Sequence, residues 1–170
     1  MDKDEEIAKL KLEIKRLQKI IDSYEKKGEE PVEEDTAKPK FDGIFEGKRV
    51  LIVEDILISR EIVAKMLEIT KAEIDTAETG IEAIEKFVEA GGNYDLILMD
   101  IQMPMMDGYK ATQEIRKMPF ENAKTIPIIA MTAGIYQENV DECLNAGMNA
   151  HIGKPLNRDN LINKMAQYFG

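Results

Sequence analysis

From Lys48 onward the sequence switches back and forth between short apolar runs and amphipathic runs, five times in succession. That alternation constrains the fold more than any other feature of the chain. "RVLIVED" (49–55), "EIDTAE" (73–78), "DLILMD" (95–100), "IPIIAMT" (126–132) and "AHIGK" (150–154) predict strands. Three of them are continuously apolar, the pattern of parallel strands buried on both faces. The segments between carry helical stripes: Ile62, Val63, Met66 and Leu67; Ile81, Ile84, Phe87 and Val88; Ala111, Ile115 and Met118; Val140 and Leu144; Leu161, Ile162 and Met165. Strand–helix alternation implies a parallel sheet with right-handed crossovers and helices on both faces. The predicted class is therefore α/β, a (βα)5 doubly wound parallel five-stranded sheet, since a closed eightfold barrel needs about twice the length.

The remaining length sits at the N-terminus. Ile7, Leu10, Ile14, Leu17, Ile21 and Tyr24 fall on an a/d heptad seam within residues 5–27, with isoleucine at the a positions. This pattern favours a parallel two-stranded coil, so residues 1–27 are expected to form an α-helical coiled-coil segment joining two copies. The alternative is an amphipathic helix folded back on its own domain. Residues 28–47 read as an acidic, proline-containing linker, with Pro31, Pro39 and a cluster of Glu and Asp. The globular domain is expected over 48–170.

Charge and cysteine usage exclude several classes. A net charge of −10 and a pI near 4.8 argue against nucleic acid as a partner, because such affinity comes mainly from Lys and Arg on phosphates. Cys143 is the only cysteine, so neither an intramolecular disulfide nor a cysteine-based metal site is possible, and a reduced, half-buried helical thiol is expected. The sequence holds no run of ~18 apolar residues, and its N-terminus is charged rather than signal-like. No membrane association is expected, and the chain reads as soluble and cytoplasmic.

In open α/β sheets, ligands bind beyond the carboxyl ends of the strands. Those ends bring together Glu54 and Asp55 from the first strand, Asp100 from the third, Thr132 from the fourth and Lys154-Pro155 from the fifth. Clustered carboxylates repel unless a cation accompanies them. Oxygen-only ligands select a hard ion, and Mg²⁺ (or Mn²⁺) takes one or two carboxylates together with phosphate oxygens. An Asp beside such an ion can attack a phosphoryl group, while an ammonium and a hydroxyl steady the charge that develops. Taken singly, each residue has a plainer reading: acids opening a loop, a threonine cap, a surface lysine. Asp107-Gly108 is read as turn chemistry.

The segment from Lys48 to Phe169 resembles the receiver domain of two-component response regulators. It carries "LIVED", "LILMDIQMPMMDG", "IIAMTA" and "GKP" in the family's order, and "EGKRVLIVED" and "GMNAHIGKP" look most like receivers of hybrid histidine kinases. The resemblance implies a flavodoxin-like fold and a phosphoacceptor role for Asp100. It implies Mg²⁺ bound by Asp55, Asp100 and the backbone carbonyl of Gln102, with Glu54 acting through water. Thr132 and Lys154 would contact the phosphoryl group, and the Lys154-Pro155 bond is a candidate cis peptide. Two departures stand out. "EDILIS" has Ile56 where many relatives have Asn, with Ser59 expected as the helix N-cap. His151 occupies the switch position that is often Tyr or Phe.

His151 is also the only histidine and lies in a predicted strand, and no kinase glycine motif is present. The phosphoryl donor is therefore expected to be another molecule, a histidine kinase or a histidine phosphotransfer protein. No output domain is expected after Gly170, and the output is expected to be a protein–protein contact or an action of the N-terminal helix. Two rival readings are a coiled-coil scaffold with a passive pseudo-receiver and an Asp-nucleophile phosphatase. The phosphatase would need a second Asp at position 102, where Gln stands.

Overall fold

The structure, a computed structural model, describes residues 38–134 and 137–169, together with Lys15. Five parallel strands, β1 (Arg49–Val53), β2 (Glu73–Ala77), β3 (Leu96–Asp100), β4 (Ile128–Thr132) and β5 (Ala150–Gly153), form one sheet in the order β2-β1-β3-β4-β5. Helices α1 (Leu57–Leu67), α2 (Gly80–Glu89), α3 (Gly108–Arg116), α4 (Gln137–Ala146) and α5 (Arg158–Ala166) alternate with the strands. The strand order reverses between β1 and β3, the switch point at which doubly wound sheets of this flavodoxin-like kind place their ligands. None of the described helices is long and apolar enough to cross a membrane.

Side-chain alternation along the strands builds two cores. Leu51, Val53, Ile97, Met99, Ile128 and Ala130 lie in a cluster with Phe87, Ile115 and Cys143, beneath α2, α3 and α4. Val50, Ile52, Leu96, Leu98, Ile129 and Met131 lie in another with Val63, Leu67, Leu161, Ile162 and Met165, beneath α1 and α5. β1, β3 and β4 feed both clusters, which explains why their sequences are continuously apolar.

Several expectations need correction. β1 stops at Val53, so Glu54 and Asp55 stand in the turn after the strand rather than at its end. Ser59 does not cap α1: the cap position is Ile56, with no side-chain bond, and Ser59 lies inside the helix. The predicted stripes are partly displaced. Ile62, Ile81, Val88 and Leu144 are exposed, while Ala83, Cys143 and Ala146 are buried in their place.

The domain also begins before Lys48. The chain divides into two units, Met1–Lys38 and Pro39–Gly170. Phe45 is buried in the core beneath α1 and α5 and meets the ring of Phe169 edge-on at 4.6 Å. The backbone N–H groups of Gly43 and Phe45 donate to the carbonyls of Ile69 and Thr70 at 2.9 and 3.0 Å. Residues 39–47, assigned to the linker by their composition, therefore belong to the sheet domain. The heptad segment apart from Lys15, and residues 28–37, lie outside the described residues.

The loop from β3 to α3 is tightly turned. The Met106 N–H donates to the Pro104 carbonyl at 2.8 Å, closing a three-residue turn around Met105 at φ 66°. A positive φ strains residues with a Cβ, Asn less than most, and Gly, which has none, is free of that cost. Met105 is 80% exposed, so replacing it loses little packing. Met105→Asn is expected to stabilise the domain by roughly 0.5–1 kcal/mol. The check is urea unfolding: a raised midpoint at unchanged slope is expected, and a lowered midpoint would contradict it.

Candidate functional site

Asp100 ends β3, and its backbone is in register with Met131 of β4. Its side chain is almost fully buried, at 7% exposure, and that of Glu54 is completely so. Asp55 is half-buried. Each of the three carboxylates presents an oxygen within 4.8 Å of the others. Burying such a group in an otherwise apolar sheet is unfavourable without a counter-charge. Lys154 supplies it: its Nζ donates to Glu54 Oε2 at 2.7 Å and lies 3.3 Å from Asp100 Oδ1.

The local backbone delivers these groups. The Glu54 N–H donates to the Ala77 carbonyl at 3.0 Å, and the Ile56 N–H donates to Glu54 Oε1 at 3.2 Å. The Lys154 N–H donates to the Thr132 carbonyl at 2.7 Å, holding the fifth strand end beside the fourth. The Lys154-Pro155 bond is cis. Thr132 is buried, and its hydroxyl donates to the Gly134 carbonyl at 3.0 Å. Asp55, Asp100, Gln102, Thr132 and Lys154 line one cleft of about 570 Å³, with Tyr109 at its edge. Glu54 instead lines an adjoining hollow with Ser59, Val63 and Met66 of α1, and Lys154 borders both.

Electrostatics follow from the burial. Loss of solvent pushes the Asp100 carboxyl up to about 6; the Lys154 charge opposes the rise, and Glu54 and Asp55 add to it. For Lys154, burial works to lower the ammonium, but the hydrogen bond to Glu54 and the charges of Asp100 and Glu54 outweigh it and leave it raised. The donor set is all oxygen, as a hard divalent cation requires, and the crowded carboxylates give such an ion a reason to bind. The residues present thus fit Mg²⁺.

Not every expected residue is brought here. His151 lies in β5 and lines a neighbouring hollow with Asn157, Asn160 and Lys164 rather than the cleft. Asp107 is more specific than a turn residue: it is the N-cap of α3, accepting the Lys110 N–H at 2.8 Å.

Sequence reasoning missed three contributors. Arg60 is buried against the Glu54 carbonyl. Its signal was available, because residues 60, 63 and 67 share one helical stripe and a charge on a buried stripe needs a partner. Gly108 packs against the Asp100 backbone, where an added Cβ would meet the Asp100 carbonyl oxygen at 2.2 Å. Tyr109 hydrogen-bonds the Cys143 thiol, and burial pushes the pKa of both groups up, holding them protonated; nothing in sequence spacing pairs them.

Known proteins resemble this chain in sequence and fold. The family model described as the response regulator receiver domain matches residues 50–166. The osmosensing histidine protein kinase SLN1 of Saccharomyces cerevisiae is 37% identical over 124 residues, covering 71% of this chain and 10% of that protein. The chain spans only 7% to 15% of the length of the curated relatives it matches. Among solved structures, the receiver domain of the sensor histidine kinase PA1611 from Pseudomonas aeruginosa holds a magnesium ion in its active-site cleft. It superposes with a TM-score of 0.64 at 37% identity, covering 73% of this chain and 98% of that one. The receiver domain of the S. cerevisiae response regulator Ssk1, solved in complex with the histidine phosphotransfer protein Ypd1, gives 0.66 at 29% identity, covering 74% and 90%. With its family model matched across the whole sheet and the acids gathered at the switch point, the chain belongs to the response regulator receiver domain family.

Proposed function

We propose that the domain accepts a phosphoryl group on Asp100 from a phosphohistidine and uses the modification to switch a protein–protein contact. The observation that carries this reading is the placement of one nearly buried carboxylate, Asp100, within reach of two further acids and 3.3 Å from an ammonium. A carboxylate oxygen of Asp100 attacks phosphorus. The O–P bond forms as the N–P bond to the imidazole breaks, and the leaving nitrogen keeps the electron pair. Water later attacks the same phosphorus, restoring the carboxylate and releasing inorganic phosphate.

Asp55, Asp100 and the Gln102 backbone carbonyl would hold Mg²⁺ (or Mn²⁺), with Glu54 acting through water, and the ion would supply positive charge against the carboxylates and the phosphoryl oxygens. Lys154, already shared between Glu54 and Asp100, remains as a fixed counter-charge for the added oxygens. Thr132 must release the Gly134 carbonyl before its hydroxyl can turn to the phosphoryl group. That exchange couples roughly −1.5 to −2 added charges to the loop after β4, and so biases a two-state surface. His151 would answer this loop from outside the cleft. The donor would be a histidine kinase or a histidine phosphotransfer protein in the cytoplasm, and residues 5–27 would pair two chains in parallel.

The test is incubation with acetyl phosphate and Mg²⁺ followed by intact-mass measurement. A single phosphoryl adduct that EDTA prevents and that is lost in base is expected. Equal labelling without divalent cation, or labelling that maps away from Asp100, would refute the proposal.

A further inference from the structure

We infer that Arg60 is the positioning residue of the acidic site: its guanidinium fixes the peptide joining Glu54 to Asp55, and with it the place from which Asp55 faces Asp100. Arg60 lies on α1, on the stripe of Val63 and Leu67, and is only 6% exposed. A guanidinium is costly to bury unless its donors are met. Here both terminal nitrogens are used. Nη1 donates to the Glu54 backbone carbonyl at 2.7 Å, and Nη2 donates to Glu78 Oε1 at 2.7 Å.

The Glu54 carbonyl belongs to the same rigid peptide plane as the Asp55 N–H. Holding that oxygen sets the plane's rotation and so aims the following Cα–Cβ bond. Glu78 follows β2, and its own N–H donates to Glu82 Oε2 at 2.7 Å. Arg60 thus ties the turn after β1 to the turn after β2. Its contact with the acids runs through backbone rather than through a carboxylate of the cluster, so it constrains geometry without occupying a ligand position.

Charge and positioning predict opposite signs, which makes the inference testable. A positive charge behind the acids repels a divalent cation, so removing it would tighten Mg²⁺ binding if charge were all that mattered. If Arg60 positions the acids, removal weakens binding despite the lost repulsion.

The metal readout rests on the proposed Mg²⁺ site; the second readout does not. In the full chain, Arg60→Gln, Arg60→Lys and Glu78→Gln are compared with the parent. Mg²⁺ affinity is measured by calorimetry, and amide exchange by NMR in metal-free buffer. Arg60→Gln is expected to bind Mg²⁺ roughly tenfold more weakly, the range for losing a group that orients a ligand. Arg60→Lys should fall between it and the parent. Without metal, the Asp55 and Ile56 amides should shift and exchange faster while those of Ile129 and Ala130 in β4 stay protected. Glu78→Gln keeps the guanidinium charge and alters only an exposed anchor, so it tests the inference even if Arg60→Gln does not fold; a smaller loss in the same direction is expected. Unchanged or tighter Mg²⁺ binding with unmoved Asp55 and Ile56 signals overturns the inference. If the parent itself binds no Mg²⁺, the proposed function falls, and the amide signals alone decide for or against Arg60.

Discussion

Asp100→Asn is expected to yield a domain that is more stable than the parent in magnesium-free buffer at neutral pH, and one that acetyl phosphate no longer modifies. The folded chain holds the Asp100 carboxyl at about 6, against an ordinary 3.8. Between those values the folded state binds a proton that the unfolded state has released, so stability falls as pH rises from about 4 to about 6 and stays lower above. A gap of about two pH units corresponds to a cost on the order of 2–3 kcal/mol for the ionised form. The amide removes that cost. It gives up little with Lys154, whose shorter bond, 2.7 Å, goes to Glu54. Urea unfolding in EDTA across this pH range should show variant and parent converging near pH 4 and diverging above. Divergence on acidification instead would mean that Asp100 is held ionised. Mg²⁺ reverses the order: binding to the folded state alone raises its stability by linkage, and the variant, with one carboxylate fewer, gains much less.

Gly108→Ala is expected to be the most damaging small substitution in the domain. Helix propensity alone favours Ala at the first position of α3 by close to 1 kcal/mol. The close approach decides otherwise. An added Cβ would meet the Asp100 carbonyl oxygen at 2.2 Å, the Ile101 Cα at 3.0 Å and the Met99 side chain at 3.0 Å. Two of these neighbours are backbone and cannot swing aside. The Gly108 N–H also donates to the Ile101 carbonyl at 2.8 Å, so α3 cannot retreat without breaking that bond. Overpacking of this severity costs about 3 kcal/mol or more, a fall of roughly 10 °C in Tm for a domain of this size. Because the displaced atoms are those of Asp100, the surviving folded protein should also lose its thermal response to Mg²⁺. A Tm within about 2 °C of the parent would show that the loop absorbs the methyl group.

The fold was legible from Lys48 onward because each level agrees: strand runs, helical stripes and strand ends describe the same parallel sheet, and β3 begins one residue from its predicted start and ends where predicted. The site acids, Thr132 and Lys154 were legible for the same reason, since parallel strands deliver their last residues to one edge. What stayed hidden has local physical causes. Phe41 and Phe45 are set among Pro39, Gly43 and Gly47, so the turn chemistry around them masked the burial of Phe45. Leu144 is exposed and Cys143 buried because a short polar helix places its stripe by contact with the cleft-edge Tyr109 and the core, which a count of apolar residues does not register. Arg60 and Gly108 act through backbone atoms of residues some distance along the chain, and backbone contacts leave no mark on composition.

The cores on the two faces of the sheet share no residue. Leu51 and Val53 answer to one set of helices, Val50 and Ile52 to the other, and the sheet between them works as a partition. A change of side-chain volume under α2, α3 and α4 is therefore settled on that side alone, while α1 and Arg60 go on holding the acids from the opposite side. The partition lets the packing beneath one set of helices be remade without disturbing the turn that carries Glu54 and Asp55 on the other.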